Sequence, residues 1–396
     1  MSKVTIADYG LKHNPFPPAA AGVPPAGTEE LPWPTNTTDA ADRCLEFLAN
    51  SKGPKAILVI GEYGSGKTSF LRSVLQPKLE ARKILPFYFE NPGTQLYDLA
   101  NTVMRTVGRY EFAKALWEYL NLKEEPATLF PTNFPGYLRN LSGSVRDRDK
   151  EKGRLQQALR SQFVDDEEVA MRFAELVVET ANKPYFEYRD FLVGTKGTLV
   201  AQGQEPKYFK TLLKLLRQMY APDGIAFVID EFEDVAIGHR MTRNKSYEYL
   251  ATLRSLLDVS QDEQLWLVIA MTQDALKQSQ ERNPALMQRF APTMKIQLEP
   301  WPLADCKRLA KYWLQRERVD NFSSDPILPF EEDALNVLEE RPSLRVPRPF
   351  IKLLYLSIQD ALNKQVEPPI PGKLVAEMAQ RIEDIQSMGP TDGNNE

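Results

Sequence analysis

Ala56-Ile57-Leu58-Val59-Ile60-Gly61-Glu62-Tyr63-Gly64-Ser65-Gly66-Lys67-Thr68 decides the fold of this chain. The first five residues are an unbroken apolar run rich in β-branched side chains, which predicts a strand buried on both faces of a parallel sheet. The next eight fit G-x-x-x-x-G-K-[ST] in full, between that strand and a helix predicted from Lys67 to about Leu79. Glycines allow backbone N–H groups to curl around phosphate oxygens where a side chain would block the approach. The helix N-terminus adds partial positive charge. Gly61, Glu62, Tyr63, Gly64, Ser65, Gly66, Lys67, Thr68 and Ser69 are therefore the candidate nucleotide-binding residues. Lys67 is expected to reach the β- and γ-phosphates, and the Thr68 hydroxyl to ligate Mg²⁺.

Downstream, Ile225-Ala226-Phe227-Val228-Ile229-Asp230-Glu231 is a second buried strand ending in two acids. Strands of a parallel sheet point their C-terminal ends at the ligand crevice, so Asp230 is expected at the metal. Glu231 is expected to polarise the attacking water, a role worth about 10²–10⁴ in rate. The run 265–271, Leu-Trp-Leu-Val-Ile-Ala-Met, gives another strand, followed by Thr272. Thr272 is read either as a water- or γ-phosphate-contacting side chain or as a plain helix N-cap. Arg289, just before a short last strand near 294–298, is the candidate arginine finger supplied to a neighbouring subunit, with Arg282 as the fallback.

Strands at 56–60, 84–89, 225–229 and 265–271 alternate with helical patterns, which predicts an α/β, doubly wound parallel sheet. The expected organisation is an N-terminal strap and helix (1–50) and a first part of the core (51–120). A mostly helical insertion (121–204) and the second part of the core (205–299) follow. A helical lid (300–386) and a disordered tail (387–396) complete the chain. Residues 15–34 are proline-rich, favouring an extended strap. Thr37 and Thr38 are expected to cap the first helix, and residues 94–120 read as one helical segment.

A net charge of -5 gives no whole-molecule basic field, so any DNA contact must be local. The insertion holds a candidate patch: Arg139, Arg146, Arg148, Lys150, Lys152, Arg154 and Arg160. Its aromatic stretch Tyr185-Phe186-Glu187-Tyr188-Arg189-Asp190-Phe191 is the alternative, a docking surface for a protein partner. The two cysteines, Cys44 and Cys306, and the two histidines, His13 and His239, lack metal or disulfide spacing. No leader-like or bilayer-length apolar run occurs, so a soluble, cytoplasmic protein is expected. Asn244-Lys245-Ser246-Tyr247 lacks the acid of a guanine-reading N-K-x-D motif, which disfavours a GTPase.

With these residues placed, the chain resembles AAA+ P-loop ATPases of the initiator-like branch, which includes origin-recognition, transposon target-selection and ExeA-type ATPases. Looser similarity links it to ATP-binding proteins of phage-defence islands. Asp230-Glu231 and Thr272-Gln273 are similar to the second motif and the sensor of that branch, whose sensor strand lies between the two motif strands. Leu11-Lys12-His13-Asn14-Pro15-Phe16 looks like a segment those proteins place near the adenine, which implies Asn14 and Phe16 as cofactor-binding residues. Val346-Pro347-Arg348-Pro349-Phe350-Ile351 looks like the turn opening the last lid helix, which makes Arg348 the second-sensor candidate. The resemblance implies an ATP- and Mg²⁺-dependent ATPase that forms homo-oligomers and acts on DNA or recruits partners to it. The alternative is a signalling or scaffolding switch in defence or regulation, acting through an unknown protein partner. The chain departs from the family in having the insertion and too few residues after the lid for a winged-helix domain.

Overall fold

Every residue of β1 (Lys55–Ile60) is buried, as a strand covered on both faces must be. In the computed structural model, the residues described are 3–18, 31–50, 55–91, 93, 96–123, 133–182, 205–220, 222–236, 242–259, 264–288, 295–320 and 325–387. Arg289, His239, the aromatic stretch 185–191 and the tail from 388 lie outside them.

β2 (Ile84–Phe89), β3 (Gly224–Ile229), β4 (Leu265–Met271) and β5 (Lys295–Gln297) join β1 in one sheet, in the order β2-β3-β4-β1-β5. β3 runs parallel to both neighbours, with Phe89 opposite Ile229 and Ile229 opposite Ile269. β4 therefore lies between the strand leading into the P-loop and the strand ending in Asp230. That is the order the AAA+ resemblance implied. β3 and β4 are buried throughout, with Phe227 set edge-on to Phe87 and Phe89. Each fully buried Ile, Leu, Val or Phe contributes about 1.5–3 kcal/mol to holding the strands together.

α1 (Thr35–Asn50) begins directly after Pro34, two residues earlier than Thr37 suggested. The Pro34 carbonyl accepts from the amides of Thr37 and Thr38. α2 starts at Lys67–Phe70, passes through a π-turn over Leu71–Leu75 and closes over Gln76–Glu80. The single helical segment expected over 94–120 is two helices, α3 (Leu96–Val107) and α4 (Arg109–Lys123). Gly108 separates them with φ +80, a left-handed conformation that ends one helix while its carbonyl starts the next.

The insertion supplies α5 (Phe134–Ser142), α6 (Val145–Gln162) and α7 (Glu167–Glu179). The charged run at 146–154 is thus helix. The Ser144 side chain caps α6 through the Asp147 amide, and Glu151, Leu155, Ala158 and Leu159 make its buried stripe. Trp117 of α4 packs on Phe134 and Tyr137 of α5, with ring centroids 5.6 and 5.1 Å apart. α8 (Glu205–Tyr220), α9 (Glu233–Ala236), α10 (Arg243–Val259), α11 (Gln273–Arg282) and α12 (Pro284–Met287) complete the core helices.

After β5 come α13 (Leu303–Arg316), α14 (Pro347–Asn363) and α15 (Gly372–Ser387). Between α13 and α14 the described residues form two short 3-10 turns, Ala334–Leu338 and Pro342–Leu344. Leu335 and Leu338 are buried, as are Phe350, Ile351, Leu354, Ile358 and Val375 of the lid helices.

The chain falls into two compact units. One groups Met1–Arg43, Val59–Pro77 and Ile296–Glu396, which places the strap, the P-loop and the lid together. The other groups Cys44–Leu58 with Lys78–Lys295, which holds β2, β3, β4 and the insertion. No described helix is long and apolar enough to cross a membrane.

Candidate nucleotide site

Gly61 is buried at the end of β1, and its carbonyl accepts from Lys67 Nζ at 3.0 Å. The lysine thus lies back along its own loop. A Cβ on Gly61 would stand 2.4 Å from Ser65 Oγ and 3.0 Å from Leu298 Cβ, so a side chain there would make Ser65 shift. Ser65 Oγ is itself buried and has no hydrogen-bond partner among the described residues. Such an orphan inside a glycine-rich loop that opens a helix fits a phosphate oxygen as its missing partner. Glu62 and Tyr63 are exposed, Gly66 and Thr68 half-buried and Ser69 buried.

The lid meets this loop through Arg348. α14 has Val346 at its N-cap and Pro347 at its first position, so the cap has no side-chain acceptor and Pro347 has no N–H. Arg348 carries the first unsatisfied amide, which donates to the Gly64 carbonyl at 3.2 Å. Gly64 has φ +83, and a Cβ there would come within 3.1 Å of Arg348 Cβ. The Arg348 guanidinium carbon lies 4.6 Å from the centroid of the Tyr63 ring. The second-sensor candidate is therefore on the P-loop.

The strap reaches the same loop by a residue the sequence pattern did not single out. Trp33 packs 5.4 Å from Phe70 and 5.2 Å from Trp301, and would lie 3.1 Å from a Cβ on Gly66. Its Nε1 donates to Ser73 Oγ at 3.0 Å, and that hydroxyl donates to the Ser69 carbonyl. The only signal was one tryptophan between two prolines, which a composition of turn residues hides. Asn14 and Phe16 make contacts within the strap and to the lid. Phe16 is buried, and the Asn14 side chain accepts from the Phe16 amide and donates to the Tyr355 carbonyl on α14. In the described contacts they fasten the strap to the lid helix.

In the other unit, Asp230 is almost fully buried at the end of β3. Its Oδ2 accepts from the Tyr88 hydroxyl at 2.8 Å and its Oδ1 from the Glu231 amide at 2.9 Å. Tyr88 was missed by the sequence reading, since nothing in β2 marks which of its residues faces the acid of an adjacent strand. The flanking backbone is fixed on both sides: the Asp230 amide donates to Phe89 and the Phe232 amide to Ala270. Glu231 between them is exposed and left-handed, φ +49, a conformation that costs a residue with a side chain about 1–2 kcal/mol. Such strain persists only where neighbours over-determine the backbone, as these two hydrogen bonds do.

Thr272 is the N-cap of α11, its hydroxyl accepting from the Ala275 amide at 3.2 Å. A hydroxyl that accepts in a cap keeps its own proton to donate. Arg282, the fallback finger, bonds within the chain, to the Val235 carbonyl and to the buried Ser246 hydroxyl, which also donates to Val235.

The seven cations of the insertion do not form one free patch. Arg154 pairs with the buried Glu151 at 2.7 Å and reaches Asn121. Lys152 pairs with Glu175, Arg160 with Glu167, and Arg148 donates to the Leu141 carbonyl. Arg139, Arg146 and Lys150 are exposed. The Tyr137 hydroxyl donates to Glu151, and burial followed by that acid's charge pushes its phenol far above the usual tyrosine range.

A buried strand, a phosphate-type loop opening a helix and a second buried strand ending in acids, with a third strand between them, define the fold of a P-loop NTPase. The model of the family described as Novel STAND NTPase 1 matches residues 38–309, and the chain belongs to that family. The match encloses the P-loop, Asp230, Glu231, Thr272 and Arg289, and leaves Asn14, Phe16 and Arg348 outside. Among solved structures, the ORC2 protein of Aeropyrum pernix in its ADPNP–ADP complexes is similar, with 12% identity and a TM-score of 0.48, over 92% of this chain and 74% of that one. Its ADP form gives 12% identity and a TM-score of 0.45, over 91% and 70%. No curated protein sequence matches.

Proposed function

We propose that this protein binds ATP with Mg²⁺, hydrolyses it, and uses the state of the nucleotide to switch contacts with a protein partner. The observation that carries this is the lid arginine on the phosphate loop. Arg348 is joined to Gly64 through its amide and to Tyr63 through its guanidinium, a place from which a cation distinguishes ATP from ADP.

Lys67 neutralises charge on the β- and γ-phosphates, and the loop amides from Gly61 to Ser69 orient them. Thr68 and Asp230 hold the metal, which when bound stabilises charge developing on the phosphate oxygens. Glu231 polarises the attacking water, and the Thr272 hydroxyl helps to orient it. Arg289 of a neighbouring copy completes the site, so hydrolysis depends on assembly.

A protein partner is favoured over DNA because four of the seven insertion cations already bond within the chain. Backbone-tracking DNA contacts need cations free to displace counterions. The test is sedimentation of the Glu231→Gln variant with ATP–Mg²⁺, with and without duplex DNA, at low and moderate salt. ATP-dependent assembly indifferent to DNA is expected. A further shift with DNA, lost on raising the salt, would return the function to a DNA-associated oligomer. A monomer under every condition would remove Arg289 from the site.

A further inference from the structure

Positions 62–64 of the phosphate loop would offer backbone to a nucleotide, which leaves the exposed side chains of Glu62 and Tyr63 for other work. At position 63 stands a tyrosine that is 80% exposed, the most exposed large hydrophobic side chain among the described residues. One feature distinguishes it from an incidental surface aromatic: the Arg348 guanidinium carbon lies 4.6 Å from its ring centroid. That is within the roughly 6 Å at which a cation is attracted to an aromatic face. The next residue holds the same arginine a second time, because the Gly64 carbonyl accepts the Arg348 amide at 3.2 Å. The absent side chain at Gly64 is what allows this approach, since a Cβ would stand 3.1 Å from Arg348 Cβ. Two consecutive loop residues thus grip the backbone and the side chain of one lid residue.

The chemistry of the two grips differs in a way that matters for the ligand. A guanidinium held over a ring by its charge spends none of its N–H donors on a hydrogen-bond acceptor. The Arg348 guanidinium makes no hydrogen bond to any described residue, and Tyr63 accepts none from it. Arginine has many rotamers to lose when it binds an anion, and a face contact made beforehand removes part of that cost without consuming a donor.

We infer that Tyr63 is a positioning residue for Arg348: its ring holds the guanidinium at the phosphate loop with the donors open, and so sets how strongly the protein prefers ATP over ADP. This rests on the proposal above that Arg348 is the cation that distinguishes ATP from ADP. Tyr63 acts through the arginine and touches no reacting atom. The hydroxyl of Tyr63 has no part in it, so phenylalanine serves as well as tyrosine, whereas an aliphatic side chain of similar bulk does not.

The experiment measures Kd for ATP and for ADP, each with Mg²⁺, by isothermal titration in a Glu231→Gln background that prevents turnover. The variants are Tyr63→Leu, Tyr63→Phe, Arg348→Ala and the Tyr63→Leu/Arg348→Ala pair, with thermal unfolding checked for each. Arg348→Ala is expected to reduce the ATP-over-ADP preference about tenfold or more, as loss of a charge-assisted bond does. Tyr63→Leu should reduce it about two- to fivefold with little change in ADP affinity, and Tyr63→Phe should retain the parent preference. The pair should be no worse than Arg348→Ala alone, because the ring has no other route to the phosphate.

A Tyr63→Leu effect equal for ATP and ADP, or one that persists undiminished beside Arg348→Ala, overturns the inference and leaves the arginine's assignment standing. An ATP-over-ADP preference unchanged in Arg348→Ala overturns that assignment and the inference with it.

Discussion

Replacing Tyr88 by phenylalanine removes one oxygen, and the structure specifies what that oxygen does. Its hydroxyl donates at 2.8 Å to Asp230 Oδ2, on a side chain only 2% exposed. A hydrogen bond to a charged acceptor contributes about 1.5–3 kcal/mol, against about 0.5–1.5 for a neutral one. Tyr88→Phe should therefore destabilise the protein by about 1.5–3 kcal/mol. At about 2–4 °C per kcal/mol this lowers Tm by about 3–12 °C. The charge dependence gives a sharper control. In an Asp230→Asn background the same substitution should cost about 1 kcal/mol less, because the acceptor is then neutral. Urea unfolding followed by circular dichroism reads both costs as shifts in midpoint at constant slope. Equal costs in the two backgrounds would show that the hydroxyl does not serve the Asp230 charge. No cost in either would show that the bond contributes nothing to stability.

Gly64→Ala should cost about 1–2 kcal/mol for a left-handed residue carrying a side chain. It should also weaken ATP binding by displacing Arg348, measurable by titration beside the unfolding midpoint. Arg154→Met leaves the buried Glu151 without its cation and should destabilise by about 3–5 kcal/mol, as breaking a buried pair does. Nucleotide affinity in that variant should be unchanged, a result that separates a structural arginine from a ligand-binding one. Burial, reinforced by the Asp8 charge, pushes the Tyr9 phenol up to about 12, where its hydroxyl donates to the Val366 carbonyl. An unfolded phenol ionises near 10.0, so this contribution is complete below that pH and is lost as pH rises through about 12. Tyr9→Phe should reduce the pH-slope of stability in that window by about one proton in alkaline denaturant titrations.

What the sequence determined by itself is local and periodic. An apolar run of β-branched residues has no stable home except a covered strand, so β1, β3 and β4 were legible to within a residue or two. The phosphate loop was legible because its chemistry depends on consecutive residues and on the two elements that flank it. Even the place of β4 between β1 and β3 followed from resemblance in short motifs. Where local signals conflicted, the outcome was decided by packing. The run at 146–154 carries no large apolar side chain of its own, yet it is helix because Leu155, Ala158 and Leu159 continue its stripe into the core and Glu151 finds Tyr137 and Arg154. Gly108 divides a continuous apolar period because its left-handed φ costs nothing to glycine.

The relations between distant residues were decided by the tertiary structure alone. That Gly64 caps the lid helix through Arg348, 284 positions away in number, follows from a missing proline N–H and an apolar N-cap only once the loop stands beside them. Tyr88 on Asp230 and Trp33 over Gly66 are likewise contacts between segments with no shared period or spacing. Asn14 and Phe16, placed near a base by motif, are engaged with the lid helix and the core, since an asparagine two residues before a free amide satisfies it locally. A sequence records which groups can form such bonds. Which of them do so depends on what the fold brings within about 3 Å, a range that no pattern along the chain encodes.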